Sequence, residues 1–250
     1  MTGRRAPGVT GLRRRRIRAI FRNELRSYRR NRSIVIGMAV IPLVFLVQPL
    51  VAAFTTSALA SVEISHHHDL LYLLALPALV PVTLAAFAVV GERQQGTLEP
   101  VLSTPIRREE LVLGKALAVF LPSIAISYSV FGLYVVLVEL FAQPGVASAL
   151  FRSSDILVQV IFTPLIAGWS IWLGLAISTR VSEVRVGQQL GVLASLPTIA
   201  LTTLVSLDVI HPSLRIGLAF GILLLLANRL GWRLVSALFD RERLITGSRS

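Results

Sequence analysis

The chain has 250 residues, of which 54% are hydrophobic and only 15% are charged, and its mean hydropathy is +0.72. In soluble domains about a quarter of all residues are charged, so this composition excludes an ordinary water-soluble protein. The formal net charge of +12 does not indicate nucleic-acid binding, because the basic residues crowd into the N-terminal segment. The absence of cysteine excludes disulfides and thiolate metal sites.

The N-terminal segment, residues 1–33, combines a dense run of arginines with apolar residues at helical spacing. The apolar residues are Ile17, Ile20, Phe21, Leu25 and Tyr28. An apolar stripe among arginines is typical of a helix that lies on an anionic membrane surface. We therefore predict a basic cytoplasmic tail followed by an interfacial helix; a disordered basic tail is the alternative for the part before Gly11.

Six apolar segments follow, at residues 34–60, 70–90, 116–141, 156–178, 190–207 and 214–230. Each is long enough to cross about 30 Å of hydrocarbon as a helix, and none shows the alternating pattern of a barrel strand. The sequence thus predicts an all-α integral membrane protein. Its transmembrane domain covers residues 34–232, and residues 233–250 form a cytoplasmic extension of the sixth helix.

The basic residues predict how these spans are oriented. Of the 25 Lys and Arg residues, all except Arg152 and Arg215 lie in the N-terminal tail, near residues 93–115 and 180–185, or in the C-terminal tail. By the positive-inside rule, both termini and these two loops face the cytoplasm. Such a skew supports an even number of spans.

Several kinds of chemistry have no sequence signature here. Gly114 and Lys115 are followed by Ala116, and Glu109 stands where a P-loop needs its first glycine, so the chain is predicted not to bind or hydrolyse nucleotide. Motifs of intramembrane zinc proteases and serine hydrolases are also absent. No ionisable residue falls near the middle of a predicted span, which disfavours an ion-coupled carrier.

Some polar residues permit two interpretations. His66, His67 and His68 in the first outer loop could bind a metal through imidazole nitrogen, or serve only as a polar spacer. Gln48 and Gln159 lie within apolar runs and are predicted to form hydrogen bonds between helices.

The loop between spans two and three carries the most specific pattern. Thr97 can cap a short helix with Glu99 in its first turn, and Pro105 forces a break after it. Glu109 and Glu110 then favour the start of a second helix that leads into span three. Such a loop is either a docking surface for another protein or a plain amphipathic connector.

At these positions the chain resembles the permease subunits of type-two ABC exporters. The matching loop residues are Glu92, Arg93, Gly96, Thr97, Glu99, Pro105, Glu109, Gly114 and Lys115, to which we add Leu98 and Leu102 as apolar positions of the same short helix. The segment with Glu24, Leu25, Arg26 and Arg30 is similar to the connecting helix of that family, and residues 239–244 are similar to its usual ending.

The resemblance implies that residues 96–105 form a coupling helix that docks on a separate ATPase subunit, with a second, smaller contact near residues 180–185. Two permeases, expected as a homodimer in the plasma membrane, would combine with two ATPase subunits. ATP and Mg²⁺ would then be used by the partner, and this chain would bind no cofactor. The short outer loops differ from family members that carry a large extracellular domain. The alternatives are an ATP-independent secondary carrier, a membrane scaffold and an intramembrane enzyme.

Overall fold

The computed structural model describes residues 9–55, 68–94, 96, 107–143, 146–211 and 213–239. Within these ranges the chain is helical and contains no β-strand, which confirms the all-α class. The elements in chain order are α1 (Val9–Arg30), α2 (Arg32–Thr55), a 3-10 segment (Asp69–Ala75), α3 (Leu76–Gln94), α4 (Arg108–Phe141), α5 (Val146–Leu150), α6 (Ser153–Ser178), α7 (Val184–Ser206) and α8 (Leu214–Leu238).

Six helical stretches in the described part of the chain are long and apolar enough to cross a membrane, which confirms the predicted number. They are Ile34–Thr55, Leu70–Gln94, Arg108–Phe141, Ser153–Ser178, Val184–Ser206 and Leu214–Leu238. The third begins before the predicted residue 116, because the polar turns that lead into it are helical and pack on α1. The sixth continues past residue 230, as predicted for the C-terminal extension.

Helix α3 occupies the centre of the bundle. Within its most apolar stretch 94% of the residues are buried, whereas no other span exceeds 39%. Small residues allow its neighbours to approach closely: a Cβ atom placed on Gly174 of α6 would lie 2.6 Å from Cβ of Ala85 and 2.8 Å from the carbonyl oxygen of Val82. Gly191 of α7 faces the side chain of Val82 in the same way. The outward faces of the surrounding helices are apolar, as lipid contact requires.

Helix α1 lies against the bundle through the predicted apolar stripe. Ile20, Phe21 and Leu25 are half-buried against a cluster of buried apolar residues from α3 and α4. A Cβ atom on Gly114 of α4 would lie 2.7 Å from Ile20, so only glycine permits this approach. A helix therefore covers the segment, and its interfacial character and its contact with lipid stay predictions.

Polar contacts show which helix termini lie together at each of the two ends of the bundle. At one end α1, the C-terminus of α3, the N-terminus of α4 and residues 180–185 lie together. At the other end His68, Asp155 and Ser206 meet, where the backbone N–H of His68 donates to the carbonyl of Ser206 at 3.1 Å. This grouping agrees with the alternation of loops inferred from the basic residues, and the assignment of one end to the cytoplasm stays a prediction.

Candidate functional site

Three charged residues from three helices meet in the interior next to the loop 95–106. The Nζ atom of Lys115, at the start of α4, lies 2.5 Å from Oε1 of Glu24 in α1 and 2.7 Å from Oε1 of Glu92 in α3. The same ammonium donates to the backbone carbonyl of Ala88 at 2.7 Å. We name Glu24, Glu92 and Lys115 the Lys115 cluster. It connects α1, α3 and α4 at one point.

Burial makes the pairing within this cluster obligatory. Lys115 is completely buried and Glu24 is almost so, and a buried charge without a partner costs several kcal/mol. An ammonium has three donors, and the two carboxylates and the carbonyl of Ala88 use all three. Burial, and then the negative charges of Glu24 and Glu92, raise the pKa of Tyr28 well above 10.0, so its hydroxyl remains protonated beside the cluster.

Two further ion pairs join α1 to the first turn of α4. Arg13 lies 3.1 Å from Glu109 at the surface, and Arg16 lies 3.6 Å from the buried carboxylate of Glu110. Glu110 also accepts the backbone N–H of Arg107 at 3.2 Å, which satisfies a free donor at the start of α4. The negative charges at this helix N-terminus are favourable, as the sequence predicted.

The C-terminus of α3 contacts the loop between α6 and α7. The guanidinium of Arg93 donates to the carbonyl of Val181 at 3.1 Å, and the amide of Gln94 donates to that of Ser182 at 3.4 Å. Gly96 follows with φ of +66°, a conformation that other residues adopt only with strain. The two loops that the sequence assigned to one side of the membrane are therefore adjacent at this point.

Ser178, the last residue of α6, is inserted into the backbone of α3 about one turn before Glu92. Its Oγ accepts the backbone N–H groups of Val89 and Val90 at 3.1 and 3.2 Å and donates to the carbonyl of Ala86 at 2.8 Å. A side chain inserted into the hydrogen-bond ladder of a helix is a recognised cause of local bending. The position of α6 is thus coupled directly to the backbone that carries Glu92.

The structure brings together several residues that the sequence placed in separate motifs. Glu92 and Lys115 from the loop motif meet Glu24 from the predicted interfacial helix. Glu109 pairs with Arg13, and Gly114 packs on Ile20. Five further predicted loop residues lie outside the described ranges, and their role stays a prediction: Thr97, Leu98, Glu99, Leu102 and Pro105.

At the opposite end, His68 and Asp155 form a buried pair with 2.8 Å between Nδ1 and Oδ2. His66 and His67 lie outside the described residues. Among the residues that are described, no group of three or more His, Cys, Asp or Glu could hold a metal ion.

The structure does not give Gln159 the predicted hydrogen bond between helices, because its side chain donates to Thr163 of its own helix at 3.4 Å. Gln48 is exposed on the surface of α2, and its hydrogen bond to another helix stays a prediction.

A bundle with six helices capable of crossing a membrane, one of them enclosed by the rest, defines a multi-pass membrane protein. Over residues 18–227 the chain matches the family described as ABC-2 family transporter protein, and it belongs to that family. No curated protein matches the chain. Members of this family are membrane components of ABC transporters that lack a nucleotide-binding domain and work with an ATPase subunit. The protein is therefore the permease component of an ABC transporter.

Proposed function

We propose that this chain is an exporter permease that works as a homodimer with two copies of a separate ATPase subunit. The substrate path would lie at the dimer interface in the plasma membrane, with both termini in the cytoplasm. ATP and Mg²⁺ would be bound by the ATPase subunit. We keep the three-part division at residues 33 and 232 as part of this proposal.

The observation that carries the proposal is the position of the Lys115 cluster. The proposed coupling segment, residues 96–105, connects the C-terminus of α3 to the N-terminus of α4 in the sequence. Lys115 bonds to Glu92 from the first of these helices and to Glu24 from α1. A force applied to the segment by an ATPase would therefore reach three helices together, because buried ion pairs resist separation.

The contacts of Arg93 and Gln94 support a second route. They attach the end of α3, just before the coupling segment, to the loop at residues 180–185, the smaller of the two proposed ATPase contacts. Ser178, directly before that loop, is bonded to the backbone of α3. Movement of either loop would thus be transmitted to the central helix.

The test is the ATPase activity of the cognate subunit, reconstituted in lipid with this chain. We expect Glu99→Arg and Gly96→Pro to reduce the stimulated activity at least about fivefold, since the first reverses a charge in the coupling segment and proline cannot adopt the positive φ of Gly96. The matched control is Glu139→Arg, the same charge reversal at an exposed position of α4 near the opposite end.

Equal activity of Glu99→Arg and Glu139→Arg would contradict the assignment of the coupling segment. Failure of the wild-type chain to associate with the ATPase subunit would contradict the coupling itself. Crosslinking of α2 to α2 between two copies in the membrane tests the homodimer separately.

A further inference from the structure

A pocket of about 670 Å³ opens beside the Lys115 cluster, between the second half of α1, the start of α2 and α3. Asn31 is the single residue between α1 and α2, and its side-chain oxygen accepts the backbone N–H of Ile34 at 3.4 Å. This cap fixes the bend that forms one wall. The pocket therefore lies where the first span, Ile34–Thr55, begins.

One face of α1 supplies polar groups to this pocket. Asn23, Arg26, Ser27 and Arg30 all line it, at positions i, i+3, i+4 and i+7 of the helix. This spacing puts them on one side. Arg32, the first residue of α2, adds a third guanidinium. The three arginines are exposed, and within the described ranges none of them forms an ion pair with an acidic side chain.

The pocket also contains two carboxylates, those of Glu24 and Glu92. Both are paired with Lys115, at 2.5 and 2.7 Å, which offsets part of their negative charge. The positive charges exceed the negative ones in and beside the pocket: the cationic groups are Arg26, Arg30, Arg32 and Lys115, and the anionic groups are Glu24 and Glu92. The pocket is therefore suited to an anion, and guanidinium groups bind phosphate oxygens with two parallel hydrogen bonds.

Apolar surface continues from this basic rim. Phe87 and Ala88 of α3 line the inner side of the pocket. On α2, Val35 and Ile36 are exposed just beyond Arg32. A ligand with a phosphate group among the arginines could therefore place a hydrocarbon chain along α2, which is the arrangement of a phospholipid at a bilayer interface.

We propose that this pocket binds a phosphate group, of the kind carried by a lipid headgroup or present as the free anion. The lining residues belong to α1, α2 and α3 and the residue between α1 and α2, and binding to them can be measured without an ATPase subunit. The site is more specific than general attraction of the basic α1 to an anionic membrane, because only one face of α1 lines the pocket.

The test compares two double variants that remove the same charge from the same helix. Arg26→Gln/Arg30→Gln removes two arginines that line the pocket, whereas Arg22→Gln/Arg29→Gln removes two exposed arginines that do not. The full chain in a neutral detergent is titrated with a fluorescent short-chain phosphatidylglycerol, and binding is followed by anisotropy.

We expect the pocket pair to weaken binding at least about tenfold, because each arginine contributes charge-assisted hydrogen bonds, and the control pair to change it less than about twofold. Inorganic phosphate is then added as a competitor. Displacement at millimolar phosphate would identify the free anion as a ligand, and its absence would identify the lipid headgroup; either result supports the site.

Equal weakening of binding by both double variants would overturn the proposal and indicate diffuse surface charge. Unchanged binding in Arg26→Gln/Arg30→Gln would also overturn it. Thermal unfolding of each variant checks that it is folded. If the double variant does not fold, Arg32→Gln is used in its place, with Arg18→Gln as its control. The binding results of these two variants are then interpreted in the same way.

Discussion

The ammonium of Lys115 lies 2.7 Å from the carboxylate of Glu92, although Lys115 lies about two turns into α4 and Glu92 lies in the last turn of α3. This bond joins the two helices on either side of residues 95–106 in the sequence. Glu24 reaches the same ammonium from α1, which lies outside the spans. Helix α1, the last turn of α3 and the first turns of α4 are consequently connected by one cation.

Replacement of Lys115 by methionine is expected to lower the free energy of unfolding by about 3–5 kcal/mol, because Glu24 and Glu92 would remain buried without their cation. Glu24→Gln is expected to cost less, since Lys115 and Glu92 would still form a neutral pair. Thermal unfolding in detergent measures both. The control is Arg13→Met, whose pair with Glu109 is 47% and 60% exposed and contributes no more than about 1 kcal/mol.

The bond between α6 and α3 can be tested by Ser178→Ala. This variant removes an acceptor from the N–H groups of Val89 and Val90, and we expect their amide hydrogen exchange to accelerate. Stability should fall by about 1–3 kcal/mol, because buried donors would lose their partner. Ser129→Ala, at an exposed position of α4, is the control. Exchange at Val89 and Val90 that stays at the wild-type rate would contradict the inserted geometry.

Two His–Asp pairs of similar length provide a test of burial. His68 and Asp155 are separated by 2.8 Å with side chains only 10% and 5% exposed, whereas His211 and Asp208 are separated by 2.9 Å with the histidine 84% exposed. We expect His68→Ala to destabilise by about 1–3 kcal/mol, since Asp155 would be left buried, and His211→Ala to change stability by less than about 0.5 kcal/mol. Similar melting temperatures for the two variants would contradict a buried pair of His68 and Asp155.

Close packing around the central helix makes Gly174→Ala a sensitive change. The added methyl group would lie 2.8 Å from the carbonyl of Val82, so α6 must move away from α3, at a cost of about 1–3 kcal/mol. Gly217→Ala places a methyl group where nothing lies within 4 Å and should stabilise α8 by up to about 1 kcal/mol through helix propensity. Differential scanning fluorimetry in one detergent compares the two, and a stable Gly174→Ala protein would argue against direct contact of α6 and α3.

The six spans could be predicted because the apolar thickness of a bilayer sets a one-dimensional rule on the chain. The start of α4 near Glu109 could be predicted because acidic residues are favourable in the first turn of a helix. The Lys115 cluster could not be found, because Glu24 and Lys115 are 91 residues apart and no local pattern pairs them. A lysine beside Gly114 at the start of an apolar span was the available signal, since a lysine buried there requires a carboxylate partner. Asp155 and Ser178 each lie near a predicted span end, where polar residues are ordinary.

Hydropathy also could not show that α3 is enclosed, since lipid and a protein interior select the same apolar side chains. That equivalence has a consequence for biogenesis. Leu70–Gln94 is one of the two most apolar of the six described spans, although 94% of its most apolar stretch is buried inside the bundle. Such a segment is apolar enough to insert into the bilayer by itself during synthesis, with acyl chains around it. The helices α4, α6 and α7, which are synthesised later, then replace the lipid on its surface.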